Sequence, residues 1–180
     1  MGQQLTLIMG GARSGKSDYA QFLVQEDEQP ALFVATATAG DEEMANRIAV
    51  HRANRPENWQ TLEAPLNIGT AIQNAPPFPW VLVDCITLLV SNLLMTCAEP
   101  VDERGYHAMV EREMDELIAS YSIHTGKWVV VSNEVGLGLV PAYPLGRYYR
   151  DALGRANQRI AKIADRAILM VAGIPMIVKE

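Results

Sequence analysis

Cysteine is scarce in this sequence: Cys85 and Cys97 are the two among 180 residues. That excludes a disulfide framework and a cysteine-rich metal cage. Two small thiols fit a reducing, cytoplasmic setting. A basic surplus is missing as well. Lys and Arg total 15 against 21 Asp and Glu, giving a net charge of −6 and a pI near 5.1. No nucleic-acid binding by a general basic surface is therefore expected, and an anionic ligand needs a local site. The start of the chain lacks a basic region followed by a long apolar run, so no signal peptide is expected. MGQQLT matches the short N-myristoylation pattern, but Leu5 to Met9 reads better as a buried strand. One long apolar run exists, Trp80 to Cys97. Asp84 and Asn92 interrupt it, and Pro76, Pro77 and Pro79 precede it. An aspartate in lipid is costly, so this run is read as a short strand and a helix, with no membrane span.

What is present is a composition for one packed core. Hydrophobic residues reach 49% and charged ones 20%, which excludes a disordered chain and fits a single domain over residues 1–180. Apolar runs at 4–9, 31–36, 80–84 and 128–132 predict strands buried on both faces. Helical patterns fall at 16–25, 41–54, 65–74, 86–96, 103–121 and 145–164. Alternating strands and helices predict an α/β fold with a mainly parallel sheet. The stretches 167–172 and 176–179, separated by Gly173-Ile174-Pro175, predict a short terminal strand pair.

The strongest local signal is Gly10-Gly11-Ala12-Arg13-Ser14-Gly15-Lys16-Ser17. It fits G-x-x-x-x-G-K-[ST], with an apolar strand before it and a helix after it. Glycines let backbone N–H groups turn inward around phosphate oxygens, and the helix N-terminus adds its positive dipole end. Lys16 is then placed for β- and γ-phosphates and the Ser17 hydroxyl for Mg²⁺. Asp84 ends the strand at 80–84. There it can meet the same Mg²⁺, or it can cap the following helix. Ser132-Asn133-Glu134 ends the next strand, where it can face the crevice of a parallel sheet or form an ordinary turn.

A histidine also stands out. Asp41-Glu42-Glu43-Met44 opens a helix in which Glu43, Arg47, His51 and Arg55 recur every four residues. Spacing alone describes a solvated Glu–Arg stripe. Chemistry allows a second reading, in which neutral His51 attacks phosphorus and Arg47, Arg52 and Arg55 stabilise the charge. His107 and His124 lack such neighbours and are expected to be exposed.

Several motifs together resemble one family. They are GGARSGKS at 10–17, VATA at 34–37, DEEM at 41–44, RIAVHRANRPENWQTLEAP at 47–65, VDCITLLVSNLL at 83–94, VVVSNEVGLGLVP at 129–141 and RDALGRANQRIA at 150–161. In this order they resemble the bifunctional cobinamide kinase and cobinamide-phosphate guanylyltransferase family of adenosylcobalamin biosynthesis. The resemblance implies a three-layer, RecA-like P-loop NTPase fold and two reactions. A nucleoside triphosphate, GTP or ATP with Mg²⁺, phosphorylates the aminopropanol hydroxyl of adenosylcobinamide. GTP then donates GMP to that phosphate through a guanylylated histidine, giving adenosylcobinamide-GDP and pyrophosphate. The histidine maps to His51, and Lys16 is the catalytic lysine of the cradle. Matching also places nucleotide contacts at Gly10 to Ser17, Ala35, Thr36, Ala37, Arg52, Ala53, Asn54, Arg55, Glu63 and Asp84, with Ser17 and Asp84 as metal ligands. A homotrimer is implied too. A P-loop kinase without nucleotidyl transfer and a nucleotide-dependent regulatory protein are the competing readings.

Overall fold

The computed structural model describes residues 3–38, 52 and 55–180. Seven strands form one sheet: β1 (Gln4–Gly10), β2 (Ala31–Ala35), β3 (Trp59–Glu63), β4 (Trp80–Asp84), β5 (Lys127–Val131), β6 (Arg166–Val171) and β7 (Ile174–Lys179). Their order is β3-β2-β4-β5-β1-β6-β7. Every neighbouring pair is parallel except β6 and β7. The helices are α1 (Lys16–Gln25), α2 (Ile68–Gln73), α3 (Ile86–Met95), α4 (Glu103–Ile123) and α5 (Pro144–Ile163).

Side chains alternate across the sheet, so each central strand supplies two cores. Leu7, Leu32, Val34, Val81, Val83, Trp128 and Val130 face α2 to α5. Ile8, Phe33, Leu82, Val129 and Val131 face the other way, with Ala20 and Val24 of α1. Three layers result, with α1 alone on its face among the described helices. The terminal strand pair forms as predicted, as the antiparallel β6–β7 hairpin. No helix of the described residues is long and apolar enough to cross a membrane.

Three expectations change. Trp59–Glu63 is a strand, paired in register with β2, although no element was expected there. Its alternation is short, and Trp59 is held by stacking on Phe33, a contact distant in sequence. The helix expected at 65–74 shrinks to Ile68–Gln73, because Asn67 takes a left-handed φ of 53° and delays its start. Glu113 of α4 compensates by accepting from the Asn67 and Ile68 backbone N–H groups at 3.2 and 2.7 Å. Finally, His107 and His124 are half-buried. Nε2 of His107 lies 3.2 Å from the Tyr148 carbonyl, and His124 accepts from the Gly126 N–H. The helix expected at 41–54 lies almost wholly outside the described residues, as do Arg47, His51, Ala53 and Asn54.

Candidate active site

The cradle joins β1 to α1. Gly10 has a φ of 154°, and a Cβ there would meet the Met170 carbonyl oxygen at 2.5 Å and Ser14 Oγ at 2.7 Å. Gly15, at the N-cap of α1, has a left-handed φ of 87°. Both positions therefore need glycine. The turn of the β6–β7 hairpin braces the loop from behind, where the Gly173 N–H donates to the Ser14 carbonyl at 3.0 Å. Lys16 is only 8% exposed, and its Nζ donates to the Gly11 carbonyl at 2.5 Å and to Ser14 Oγ at 3.5 Å. Burial lowers its pKa, and the nearby Cys85 and Asp84 oppose that shift. A desolvated ammonium surrounded by loop carbonyls and amides is a strong partner for phosphate oxygens.

The facing wall is the end of β4. Cys85, not Asp84, occupies the N-cap of α3, so the capping alternative for Asp84 does not hold. Thr36 fixes this wall. It is fully buried, and its hydroxyl donates to the Cys85 carbonyl and accepts from the Cys85 N–H, both at 2.7 Å. Its own N–H donates to the Asp84 carbonyl at 3.2 Å. Asn92 of α3 then donates through Nδ2 to the Thr36 and Pro65 carbonyls at 2.8 and 3.0 Å. The ends of β2, β3 and β4 are thus held together by two side chains. Burial and the Asp84 charge push the Cys85 thiol up to about 11. A thiol that stays protonated at neutral pH is not a nucleophile for this crevice.

A third wall comes from β2, β3 and the chain before β3. The Arg55 guanidinium lies 3.5 Å from the Phe33 ring centroid and donates through Nη1 to Thr61 Oγ1 at 2.8 Å. Burial lowers its pKa, while Asp84 and Glu63 act against that shift. Among the described residues, its buried Nε has no hydrogen-bond partner. Arg52 pairs with Glu63 at 3.5 Å, with both side chains mostly exposed, so this rim contact is weak.

These walls enclose a crevice of about 790 Å³. Of the sequence-predicted residues, Ala12 to Ser17, Ala35, Ala37, Arg52, Arg55, Glu63 and Asp84 line it. Gly10 and Thr36 lie behind the lining, as shape and scaffold. Gly11 lends its carbonyl to Lys16. Asn133 lines it too, as the crevice reading of Ser132-Asn133-Glu134 expects, and so do Phe33, Thr61 and Thr87, to which the sequence motifs assign no nucleotide role. Among the described residues, no three or more His, Cys, Asp or Glu gather to hold a metal on protein ligands alone. The Ser17 hydroxyl and Asp84 carboxylate are a hard-oxygen pair, which suits Mg²⁺ sharing its remaining positions with water and phosphate. Thr36→Val keeps the volume and removes the hydroxyl. It is expected to lower unfolding free energy by about 1–3 kcal/mol in urea titrations, because the Cys85 N–H loses its partner in the protein. A change below about 0.5 kcal/mol would contradict this scaffold.

Comparisons with known proteins agree on one relationship. The family model described as cobinamide kinase / cobinamide phosphate guanyltransferase matches residues 6–178. The bifunctional adenosylcobalamin biosynthesis protein CobP of Pseudomonas aeruginosa is 42% identical over 174 residues, covering 96% of each chain. The bifunctional adenosylcobalamin biosynthesis proteins CobU of Escherichia coli and Salmonella typhimurium are 40% and 41% identical over 181 residues. Those alignments cover 97% of this chain and 99% of each relative. With its glycine cradle, acidic strand end and arginine wall sharing one crevice, this chain belongs to the cobinamide kinase / cobinamide phosphate guanyltransferase family.

Proposed function

We propose that this chain carries out two phosphorus transfers in one crevice, within a single domain spanning 1–180. GTP or ATP first phosphorylates the aminopropanol hydroxyl of adenosylcobinamide. GTP then guanylylates His51, and the adenosylcobinamide phosphate takes the GMP to give adenosylcobinamide-GDP. The observation that supports this reading most is a shared wall. Arg52, the residue directly after His51, lines the same crevice as Lys16, Ser17 and Asp84.

In the first reaction, the Lys16 ammonium and the loop N–H groups hold the β- and γ-phosphates. The acceptor hydroxyl oxygen bonds to the γ-phosphorus as the β–γ bridging oxygen leaves with the nucleoside diphosphate. Ser17 and Asp84 would hold Mg²⁺, which when bound supplies charge neutralisation at the phosphate oxygens. In the second reaction, the neutral His51 imidazole attacks the α-phosphorus and pyrophosphate leaves. An oxygen of the cobinamide phosphate then attacks the guanylylated imidazole and releases His51. Arg52 and Arg55 are placed to stabilise charge that builds during these steps. Splitting the transfer avoids a direct encounter between two highly anionic reactants. Ala35, Ala37 and Glu63 line the nucleotide's path in this reading, and Ala53 and Asn54 complete the segment by resemblance.

GTP labelled at the α position is expected to leave acid-labile, hydroxylamine-sensitive label on the chain, and γ-labelled GTP to leave none. His51→Ala is expected to lose the label. Stable α-label on that variant would contradict the nucleophile. Lys16→Ala is expected to lose cobinamide phosphorylation severely, and a parental kinase rate would contradict the cradle's role. The reading extends to a homotrimer, for which the exposed apolar side chains of Ile174, Met176, Ile177 and Val178 offer a surface. Light scattering is expected to give three times the 19.8 kDa chain mass, and a monomer mass would contradict it.

A further inference from the structure

Asn133 lies in the crevice just past the end of β5, the strand between its two phosphate-handling walls. Strand β5 pairs with the cradle strand β1 on one side, Ile8 opposite Val131. It pairs with β4 on the other, Asp84 opposite Val131. Asn133 is two residues further on, level with the mouth of the cradle, and it lines the crevice with Lys16, Ser17 and Asp84.

The backbone of this residue is fixed from both sides. Its N–H donates to Thr87 Oγ1 of α3 at 2.7 Å. Its carbonyl accepts from Asn157 Nδ2 of α5 at 3.0 Å. Asn157 is itself locked, because its Oδ1 accepts from Ser132 Oγ at 2.6 Å, in a region where Ser132 is fully buried and Asn157 is 5% exposed. The flanking amides are tied to the cradle strand. The Ser132 N–H donates to the Ile8 carbonyl at 2.9 Å and the Glu134 N–H to the Gly10 carbonyl at 3.0 Å. Buried polar networks of this kind rigidify what they hold when every member is satisfied. Yet the held residue's own side-chain amide makes no hydrogen bond with the described residues. A backbone held in place thus presents an unused amide to a phosphate crevice, and a donor carried on a rigid backbone is what electrostatic stabilisation of a phosphoryl group can use.

We infer that the Asn133 side-chain amide is a further catalytic contact of the phosphoryl-transfer step, donating through Nδ2 to a non-bridging oxygen of the γ-phosphoryl group in flight. The inference rests on the two-reaction reading above. The amide stays chemically unchanged. The β–γ bridging bond breaks, the acceptor oxygen bonds to phosphorus, and the hydroxyl proton passes to the transferred phosphate or to buffer. A neutral amide suits this place, since a carboxylate would repel the triphosphate. The two reactions use the contact differently. In guanylyl transfer the γ-phosphate leaves as part of pyrophosphate without reacting, so the contact is equal in ground and transition states and affects KM only. In the kinase step the γ-phosphoryl group itself changes geometry and charge, so the contact affects kcat.

The test compares both steps in the full-length parent enzyme, Asn133→Ala and Asn133→Asp, with adenosylcobinamide or its phosphate as acceptor and a thermal melt on each. For Asn133→Ala the kinase kcat is expected to fall on the order of 10- to 100-fold, while guanylyl-transfer kcat stays within about threefold. Asn133→Asp, with nearly the same shape, is expected to lose the kinase step at least as severely. A kinase kcat within about threefold of the parent in Asn133→Ala overturns the inference. Equal loss of both kcat values also overturns it, by assigning Asn133 a general structural role. A folded parent enzyme that performs neither transfer instead contradicts the two-reaction reading itself.

Discussion

Parallel pairing is the constraint from which the site follows. Six strands run the same way, so their carboxyl ends all reach one edge of the sheet. That edge gathers the cradle after β1, Ala35 at the end of β2 with Thr36 just beyond it, Glu63 at the end of β3, Asp84 at the end of β4 and Asn133 beyond β5. Ligands of open α/β sheets bind at this edge for the same reason: loops and helix N-termini converge there, beyond the buried strands. The acidic net charge is no obstacle. Binding of a triphosphate depends on a few cations placed locally, with Lys16 and Arg55 both partly desolvated inside the crevice.

Convergence of strand ends does not by itself fix atoms. Two side-chain devices do that here. Thr36 and Asn92 tie the ends of β2, β3 and β4, and so set the backbone around Asp84. Thr87, Ser132 and Asn157 tie β5 to helices α3 and α5, and so set Asn133. The β6–β7 turn adds a third support behind the cradle. None of these residues needs to touch nucleotide to matter, because charge stabilisation depends on donors that are already in place when charge develops.

The parts legible in the sequence were those with a local signature. GGARSGKS carries its own backbone logic, and the buried strands announce themselves as apolar runs such as WVVV at 128–131. Asp84 was found because it ends such a run. The strand at Trp59–Glu63 was missed because five residues give little periodicity and its partner Phe33 is far away in sequence. Motif matching gives Thr36 to the nucleotide, but spacing does not show that its hydroxyl binds Cys85, which lies 49 positions along the chain. The Ser132–Asn157 pair spans 25 positions with no repeating pattern. Polar contacts of this kind are created by the fold and leave no trace in spacing.

The central claim is that both phosphorus chemistries use one nucleotide crevice. Calorimetric titration with the α,β-methylene analogue of GTP tests it directly, because that analogue cannot guanylylate the chain. The account predicts one bound analogue per chain, displaced competitively by a β,γ-methylene analogue of ATP. Two independent sites per chain, or an ATP analogue that binds without displacing the GTP analogue, would contradict it.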